Sequence, residues 1–335
     1  MIRTDLFREQ LLLAHNQSNL IHMQTLNRII LILGISILLS CNTGSSESSN
    51  QEIRTQVETF TDDLYGGTGG LSVDREGNVY SSDFGPFLGQ LAQNFTPKSK
   101  IFKITPDGKV SIFADSLMGA SGSKFDSNGN LYQSNIRGRY ISKITPLGEV
   151  SVFNKDSLIA PVGIAIDNND DLVVCNCGNN TLRKITQDGS NTLFVASELL
   201  KCPNGITMDE NGNYYIANFS DGNVIKVTAE GKASILLTIP GDNNGHIMFH
   251  SGYLYVVGRS AHSIYKVSLS GKMELFAGRG ERGRTNGDRL NSTFNYPNDL
   301  DFSPDGKFLY VNEEADTVGD PRILTPTIVR RIRME

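Results

Sequence analysis

One short segment near the beginning of the chain constrains the fold more than any other feature. Residues 56–60 (QVETF) repeat a pattern that otherwise closes each of five later repeats. Those five copies lie at 110–117, 150–158, 191–200, 233–237 and 273–277. The sixth repeat has no such copy and finishes at 331–335 instead. We therefore expect the early segment to complete the last repeat, which predicts a ring closed by its own N-terminal strand and free of an exposed end face.

A five-residue line recurs at the start of each repeat. The clearest copy is 163–167 (GIAID), and the other copies begin at residues 70, 122, 205, 246 and 299. The fifth residues of successive copies are 52, 41, 42, 41 and 53 positions apart. Most copies run into a turn that contains glycine, as expected for a strand that enters a hairpin.

Two further strands follow in every repeat. The second strands are predicted at 78–83, 130–135, 171–176, 213–218, 253–258 and 307–312. The third strands each carry a basic residue between apolar ones, and these residues are Lys103, Lys143, Lys184, Lys226, Lys266 and Arg331. The pattern predicts an all-β protein over residues 53–335: a six-bladed β-propeller with four antiparallel strands per blade. The N-terminal strand closes the last blade.

Two propeller families resemble these repeats. Residues 161–167 (PVGIAID) resemble NHL repeats. Residues 203–206 (PNGI) and 297–300 (PNDL), with 303–307 (SPDGK), are similar to the family of senescence marker protein and gluconolactonase. The resemblance covers about residues 53–333 and implies the fold, whereas the activities within such folds are unrelated to one another.

The first 52 residues have a different character from the repeats. Residues 1–40 read as a signal region, in which Met23 is an alternative start and 29–39 (IILILGISILL) is the apolar core. Residues 38–41 (LLSC) resemble a bacterial lipobox, which implies that Cys41 is acylated and that 41–52 is a flexible tether. The alternative is an ordinary secretory signal. We expect a membrane-anchored lipoprotein of the bacterial cell envelope that faces the periplasm or the exterior and contacts the membrane through the lipid anchor only.

Composition limits the classes of molecule that this protein could bind. The formal net charge of −5 and the absence of a basic run argue against nucleic acid, which needs a positive face. Apart from the signal region, the sequence has no apolar run of membrane-spanning length.

Three cysteines follow the lipobox. Cys175 and Cys177 lie two residues apart on a strand, which places them poorly for a mutual disulfide. Cys177 and Cys202 lie at the same face of neighbouring repeats, so a disulfide between them is one interpretation. Three buried apolar thiols are the other, and the sequence leaves both open.

Propeller topology predicts where a site would form. The residues before each first strand and those that end each second strand meet at one end of the central tunnel, which we call the mouth. We expect ligand contacts from polar residues at these places: Asp83, Asn135, Asn176, Asn204, Asn218, Asn244, His246, Arg259, Asn298, Asn312 and Glu313. Long loops at 84–97, 278–296 and 314–326 fall on the same face, as binding loops do. The alternative is that the Asp and Asn side chains cap turns.

The gluconolactonase resemblance implies a divalent metal held by one Glu, two Asn and a catalytic Asp. Only Asn204 matches that set here, because the other positions read Gly69, Val162 and Asn244 or Gly245. A metal such as calcium is therefore not favoured, although Asp83, Asn204 and Glu313 are candidate ligands, and no catalytic residue is assigned.

The sequence thus predicts a propeller that binds a small molecule or a protein partner at its mouth. The alternatives are a metal-dependent hydrolase of lactones or esters, and a scaffold that binds protein partners on its sides.

Overall fold

The computed structural model describes residues 55–86, 98–315 and 323–334. The predicted signal region 1–40, Cys41, the tether 41–52 and most of the loops 84–97 and 314–326 lie outside the described residues. In the part of the chain that is described, no helix is long and apolar enough to cross a membrane.

The described residues form six four-stranded antiparallel sheets, which confirms the predicted propeller. Blade one contains β2 (Thr68–Val73), β3 (Val79–Asp83), β4 (Ser99–Ile104) and β5 (Val110–Leu117); blade two contains β6 (Ala120–Phe125), β7 (Leu131–Asn135), β8 (Tyr140–Ile144) and β9 (Val150–Asn154); blade three contains β10 (Pro161–Ile166), β11 (Leu172–Asn176), β12 (Thr181–Ile185) and β13 (Asn191–Ala196). A 3-10 turn, Cys177–Asn179, follows β11.

The other three blades repeat this order. Blade four contains β14 (Pro203–Met208), β15 (Tyr214–Asn218), β16 (Asn223–Val227) and β17 (Ala233–Thr238); blade five contains β18 (Asn244–His250), β19 (Tyr253–Gly258), β20 (Ser263–Ser268) and β21 (Met273–Ala277); blade six contains β22 (Leu300–Phe302), β23 (Phe308–Glu314), β24 (Thr327–Arg333) and, from the other end of the chain, β1 (Val57–Leu64).

The N-terminal strand closes the ring as predicted. β1 pairs antiparallel with β24, with Val57 opposite Ile332 and Glu58 opposite Arg331. Arg331 donates a hydrogen bond through Nε to Glu58 (2.7 Å), and its guanidinium lies 5.0 Å from the ring centre of Phe60. The outer strand of blade six is thus held by ladder hydrogen bonds, an ion pair and apolar packing at once.

The core lies between blades, because each sheet buries both faces against its neighbours. Val257 and Ile264 of blade five pack with Val311 and Ile332 of blade six, and all four side chains are fully buried. Burying one such side chain contributes about 1.5–3 kcal/mol. Each blade therefore depends on the next, and the ring is stable only when it is complete.

The basic residue of each third strand has a packing role. Lys103, Lys143 and Lys226 each lie over a tyrosine of the paired second strand, 5.4, 5.5 and 5.8 Å from the ring centres. The ammonium ion remains near solvent while the lysine stem covers the aromatic ring. This cross-strand pair accounts for the lysine in these three blades, whereas Lys184 of blade three lies opposite Val173 and pairs with Asp167 at 2.9 Å.

Candidate functional site

The first strands approach one another most closely around the tunnel, at one position per blade that we call the ring position. In blade order the ring residues are Gly70, Gly122, Gly163, Gly205, His246 and Asp299. A Cβ on any of the four glycines would come closer than 3.0 Å to the backbone of the following blade. Blades one to four therefore have no room for a side chain here, and only blades five and six provide one.

A β-bulge shapes the ring position in blades one to five. The pairing of the first and second strands shifts register between residues 68 and 71, 120 and 123, 161 and 164, 203 and 205, and 244 and 247. A bulge lets a strand turn a residue toward a site without losing the rest of its ladder. These bulges bring the ring residues and the residues just before them to the tunnel.

His246 crosses the tunnel. Its Cε1 atom lies 2.9 Å from the point that a Cβ of Gly122 would occupy, and blade two stands opposite blade five. The side chain is buried, with 6 % of the residue exposed. The imidazole ring thus forms a floor that separates the mouth from the other end of the tunnel.

Asp299 fixes the orientation of this floor. The Nδ1 atom of His246 lies 3.2 Å from Oδ2 of Asp299. The same carboxylate accepts hydrogen bonds from the backbone N–H groups of Leu71 and Leu300, both at 2.8 Å. Burial raises the pKa of Asp299, while His246 and the two N–H groups oppose that rise. Three donors on one carboxylate fit its ionised form, which places the proton of His246 on Nδ1.

With Nδ1 directed to Asp299, Nε2 is the nitrogen of His246 that can accept a hydrogen bond. The structure gives Nε2 no hydrogen-bond partner among the described residues. A buried histidine with one nitrogen held by a carboxylate and the other unpartnered is prepared to interact with a molecule in the mouth.

Two asparagines border the same opening. Asn204 donates through Nδ2 to the carbonyl of Asn244 (3.1 Å), and Asn298 donates through Nδ2 to the carbonyl of Gly69 (2.8 Å). Each amide thus bridges its blade to the next one around the ring. For neither residue does the described structure give a partner to Oδ1, so both oxygens can still accept hydrogen bonds. Ser121, just before ring residue Gly122, lies in β6 of blade two and is buried.

The predicted site residues at the ends of the second strands hold backbone instead of lining the mouth. In each case the side-chain Oδ1 atom accepts a hydrogen bond from a backbone N–H group at 2.6–2.8 Å. Asn135 accepts from Met118, Asn176 accepts from Ile159, and Asn312 accepts from Asp299. All three residues are fully buried. These are turn caps, which is the alternative that the sequence left open.

Three other predicted residues are also buried in local contacts. Asp83 accepts from the N–H groups of Gly67 and Gly85, and burial raises its pKa. Asn218 donates to the carbonyl of Leu199, and Asn244 donates to Asn223. In the part of the chain that the structure describes, the Oδ1 atoms of Asn218 and Asn244 have no hydrogen-bond partner although both side chains are fully buried.

The charged residues predicted in blades five and six form buried ion pairs. Arg259 meets Glu314 at 2.6 Å and lies 5.3 Å from the ring centre of Tyr296. Glu313 meets Arg330 at 2.6 Å with both side chains wholly buried. Burial raises the pKa of Glu313 to about 7, although the guanidinium of Arg330 opposes the rise. The carboxylate of Glu313 thus faces Arg330 and not the mouth.

The candidate metal ligands are not brought together. Asp83 holds Gly67 and Gly85, Glu313 holds Arg330, and Asn204 lies at the tunnel. Among the described residues no group of three or more His, Cys, Asp or Glu could hold a metal ion. The oxygens of Asn204 and Asn298 are neutral, and Asp299 already accepts three donors. This donor set does not fit the metal that the family resemblance implies.

A cavity of about 580 Å³ opens at the other end of the tunnel, on the face formed by the hairpins between first and second strands. Lys124 lies in its wall, where its ammonium is 3.3 Å from Asp301 and 3.7 Å from the sulfur of Met248. Several of the polar groups in its wall hold the neighbouring turns. Asp126, for example, accepts the N–H groups of Asn128 and Asn130 and so holds its own turn.

The structure joins Cys177 to Cys202 by a disulfide, one of the two arrangements that the sequence allowed. The bond links the segment after β11 to the segment before β14 and so ties blade three to blade four. Cys175 remains a free, buried thiol, and burial raises its pKa. These contacts are structural and lie outside the ring.

Sequence reasoning named Asn204, His246 and Asn298 but missed Asp299. The signal for Asp299 was present in the repeat alignment, since four repeats have glycine where the last two have histidine and aspartate.

Comparison with known proteins agrees with the fold. Residues 158–185, in blade three, match the NHL repeat family, which confirms that the chain carries an NHL repeat. No curated protein matches the chain by sequence.

Solved propellers resemble the structure at low sequence identity. An auxiliary nutrient binding protein from Bacteroides ovatus has a TM-score of 0.63 and 16% identity, covering 82% of this chain and 76% of its own. A gluconolactonase from Xanthomonas campestris has a TM-score of 0.60 and 12% identity, covering 83% and 89%. Virginiamycin B lyase from Staphylococcus aureus has a TM-score of 0.56 and 16% identity, covering 84% and 99%.

These similarities define the chain as a six-bladed β-propeller with an NHL repeat, similar in fold to gluconolactonase-like and nutrient-binding propellers. At such identities they show the fold alone, and function has to be argued from the site.

Proposed function

We propose that the propeller binds a small polar molecule in the mouth of its central tunnel. The observation that supports this most is the set of unpartnered acceptors above a closed floor: Nε2 of His246 and the Oδ1 atoms of Asn204 and Asn298. These atoms come from three neighbouring blades, at or next to the places where their first strands begin. A concave site with a few convergent polar groups is the usual form of a small-molecule site.

The polarity of these atoms indicates the chemistry of the ligand. All three accept hydrogen bonds, and one of the two N–H groups of each asparagine amide is already used between blades. A ligand with several hydroxyl donors, such as a sugar, therefore matches the mouth. The fold similarity to a nutrient binding protein from Bacteroides ovatus is consistent with that class.

The test is calorimetric titration of the purified protein with glucose, galactose, maltose and cellobiose. We expect at least one of these sugars to bind. The double variant Asn204→Ala with Asn298→Ala should weaken that binding by about 5- to 150-fold, because each of the two lost hydrogen bonds contributes about 0.5–1.5 kcal/mol.

The matched control is Asn168→Ala, an exposed asparagine on the hairpin face of blade three, which should leave affinity unchanged. Circular dichroism melts of all variants without sugar separate lost binding from lost folding. Sugar affinity that survives the double variant would place the ligand elsewhere. If none of the sugars binds, and a protein from the envelope binds instead, the small-molecule proposal is wrong.

The proposal includes a place in the bacterial cell envelope, through a lipid on Cys41. The apolar stretch 29–39, the LLSC sequence at 38–41 and the polar residues 42–50 support it. Replacement Cys41→Ser should move the protein from the membrane fraction to the soluble fraction, as measured by fractionation and immunoblotting. A variant that stays with the membrane fraction would contradict the anchor.

A further inference from the structure

We propose that the ligand of the mouth carries an anionic group, such as a phosphate or a carboxylate, which Arg282 and Arg284 bind. This inference rests on the proposed sugar site and adds the class of sugar that the site takes. It starts from the loop 278–296, which leads into Asn298 and holds two guanidinium groups without an acidic partner among the described residues.

Arg282 is held in place but is not neutralised. Its Nε atom donates a hydrogen bond to Oδ1 of Asn295 (2.7 Å), and its guanidinium carbon lies 4.5 Å from the ring centre of Tyr296. Asn295 is itself buried and donates through Nδ2 to the carbonyl of Glu314 (2.9 Å). Across residues 55–86, 98–315 and 323–334, Nη1 and Nη2 of Arg282 have no hydrogen-bond partner, and the side chain is only half-buried. One edge of the guanidinium is thus fixed, and the other is available for two parallel hydrogen bonds to an oxyanion.

Tyr296, against which Arg282 packs, has an unusual backbone conformation. Its φ angle is +48°, in the left-handed region that a bulky residue seldom adopts. Its N–H group donates to Nδ1 of His262 (3.3 Å), and its carbonyl accepts from Nη1 of Arg259 (2.9 Å). Two side chains of blade five thus hold the turn that leads into Asn298, and residues kept in such conformations cluster at ligand sites.

Positive charge is in excess around this turn. The glutamates of the region are already committed to buried ion pairs with Arg259 and Arg330. Arg284 is exposed and, like Arg282, has no ion pair in the part of the chain that the structure describes. Burial lowers the pKa of His262, and the positive charges of Arg282 and Arg259 lower it further. An excess of positive charge beside a site for hydroxyl groups fits a ligand that also carries a negative charge.

The two arginines lie close to the sugar site along the chain. Tyr296 is two residues from Asn298, which corresponds to at most about 7 Å of extended chain. The segment that carries the arginines is fixed alongside, since Arg282 forms a parallel bridge with Phe294 and Gly283 donates to the carbonyl of Phe294 (3.1 Å). A monosaccharide with an anionic group at one end can therefore meet the asparagine through its hydroxyl groups and the guanidinium groups through its oxyanion.

The experiment compares each neutral sugar with an anionic derivative by calorimetric titration at low ionic strength. The pairs are glucose with glucose 6-phosphate and galactose with galacturonate, so that phosphate and carboxylate are tested separately. We expect the anionic member of at least one pair to bind about 10-fold more tightly, because charge-assisted hydrogen bonds are about twice as strong as neutral ones. The advantage should shrink as salt is added, because exposed charges are screened.

The double variant Arg282→Gln with Arg284→Gln should bring the two members of each pair to equal affinity. The matched control is Arg75→Gln with Lys109→Gln, which removes two exposed positive charges from blade one and should keep the advantage. Melting temperatures show whether Arg282→Gln still folds. If it does not, Arg284→Gln decides alone from its exposed position and should reduce the advantage.

A second measurement does not depend on a sugar. The pKa of His262, followed by NMR, should rise when sodium sulfate replaces sodium chloride at equal ionic strength, because a bound anion offsets the positive charge of the neighbouring arginines. The double variant should show no such rise.

Failure of this inference is distinct from failure of the binding proposal. Equal affinity for both members of each pair in the native protein, or an advantage that survives in the double variant, would overturn the anionic subsite and leave the sugar site in place. If no member of either pair binds, the sugar proposal fails and the sulfate response of His262 decides. A rise that the double variant lacks supports anion binding by the arginines, and the absence of a rise overturns it.

Discussion

Four of the six ring residues are glycine because the first strands of neighbouring blades nearly touch at that level. A Cβ on Gly163 would lie 2.3 Å from the carbonyl oxygen of Asn204, which is backbone and cannot move aside. The two exceptions, His246 and Asp299, contact each other at 3.2 Å. The four glycines thus allow the first strands to pack closely, and His246 and Asp299 provide the two side chains at the ring position.

Replacement Gly163→Ala tests this packing. We expect a loss of about 3 kcal/mol in the free energy of unfolding, at the upper end of what an added methyl group costs in a tight core. Gly189→Ala is the control: no atom lies within 4 Å of its Cβ, but its φ of +87° makes it cost about 1–2 kcal/mol through backbone strain. Urea denaturation measures both values. Equal losses would mean that the first strands are not packed as closely as described.

At the scale of elements, β1 is the strand whose position carries most consequence. It covers β24, which would otherwise present an open edge of backbone groups, and it buries Val57 and Leu64. Between β1 and β24 the register shifts after Thr59 and again after Thr61. The outer strands of the other blades also carry shifts, as between Leu182 and Arg183 of β12, and such irregular edges resist pairing with other chains.

Deletion of residues 53–64 should therefore lower the melting temperature strongly and cause aggregation. The lost burial of Val57 and Leu64 alone is worth about 3–6 kcal/mol, at about 1.5–3 kcal/mol for each side chain. Thermal unfolding followed by circular dichroism, together with size-exclusion chromatography, would measure this. Deletion of residues 42–52, within the predicted tether, serves as the control and should leave the melt unchanged. A cooperative melt at the native temperature after removal of 53–64 would refute closure by β1.

At the scale of the whole molecule, the repeat pattern was sufficient to predict the architecture. Blade number, strand order and closure by β1 all follow from the spacing of similar segments, since each repeat must bury its faces against the next. Topology also determines which strand ends meet at one end of the tunnel, and Asn204, His246 and Asn298 were named for that reason. Their role as ligand contacts stays a prediction.

The partners of individual side chains were not predictable in the same way. The sequence pattern does not distinguish Asn135 and Asn312 from ligand contacts. Their Oδ1 atoms accept hydrogen bonds from backbone N–H groups that become neighbours only after the turns have formed. Glu313 appeared available until Arg330, on the adjacent strand, was seen to pair with it in full burial. The role of Asp299 depends on its distance to a histidine 53 residues earlier, which no local pattern contains.

The position of His246 across the tunnel axis has a consequence for how a molecule can enter and leave the tunnel. Because the imidazole reaches the opposite blade, the mouth has a single opening to the outside. A molecule that enters the mouth must leave through the same opening, so an incoming molecule and a departing one compete for it. The large cavity on the hairpin face lies on the other side of the His246 side chain, so no molecule passes through the tunnel between that cavity and the mouth.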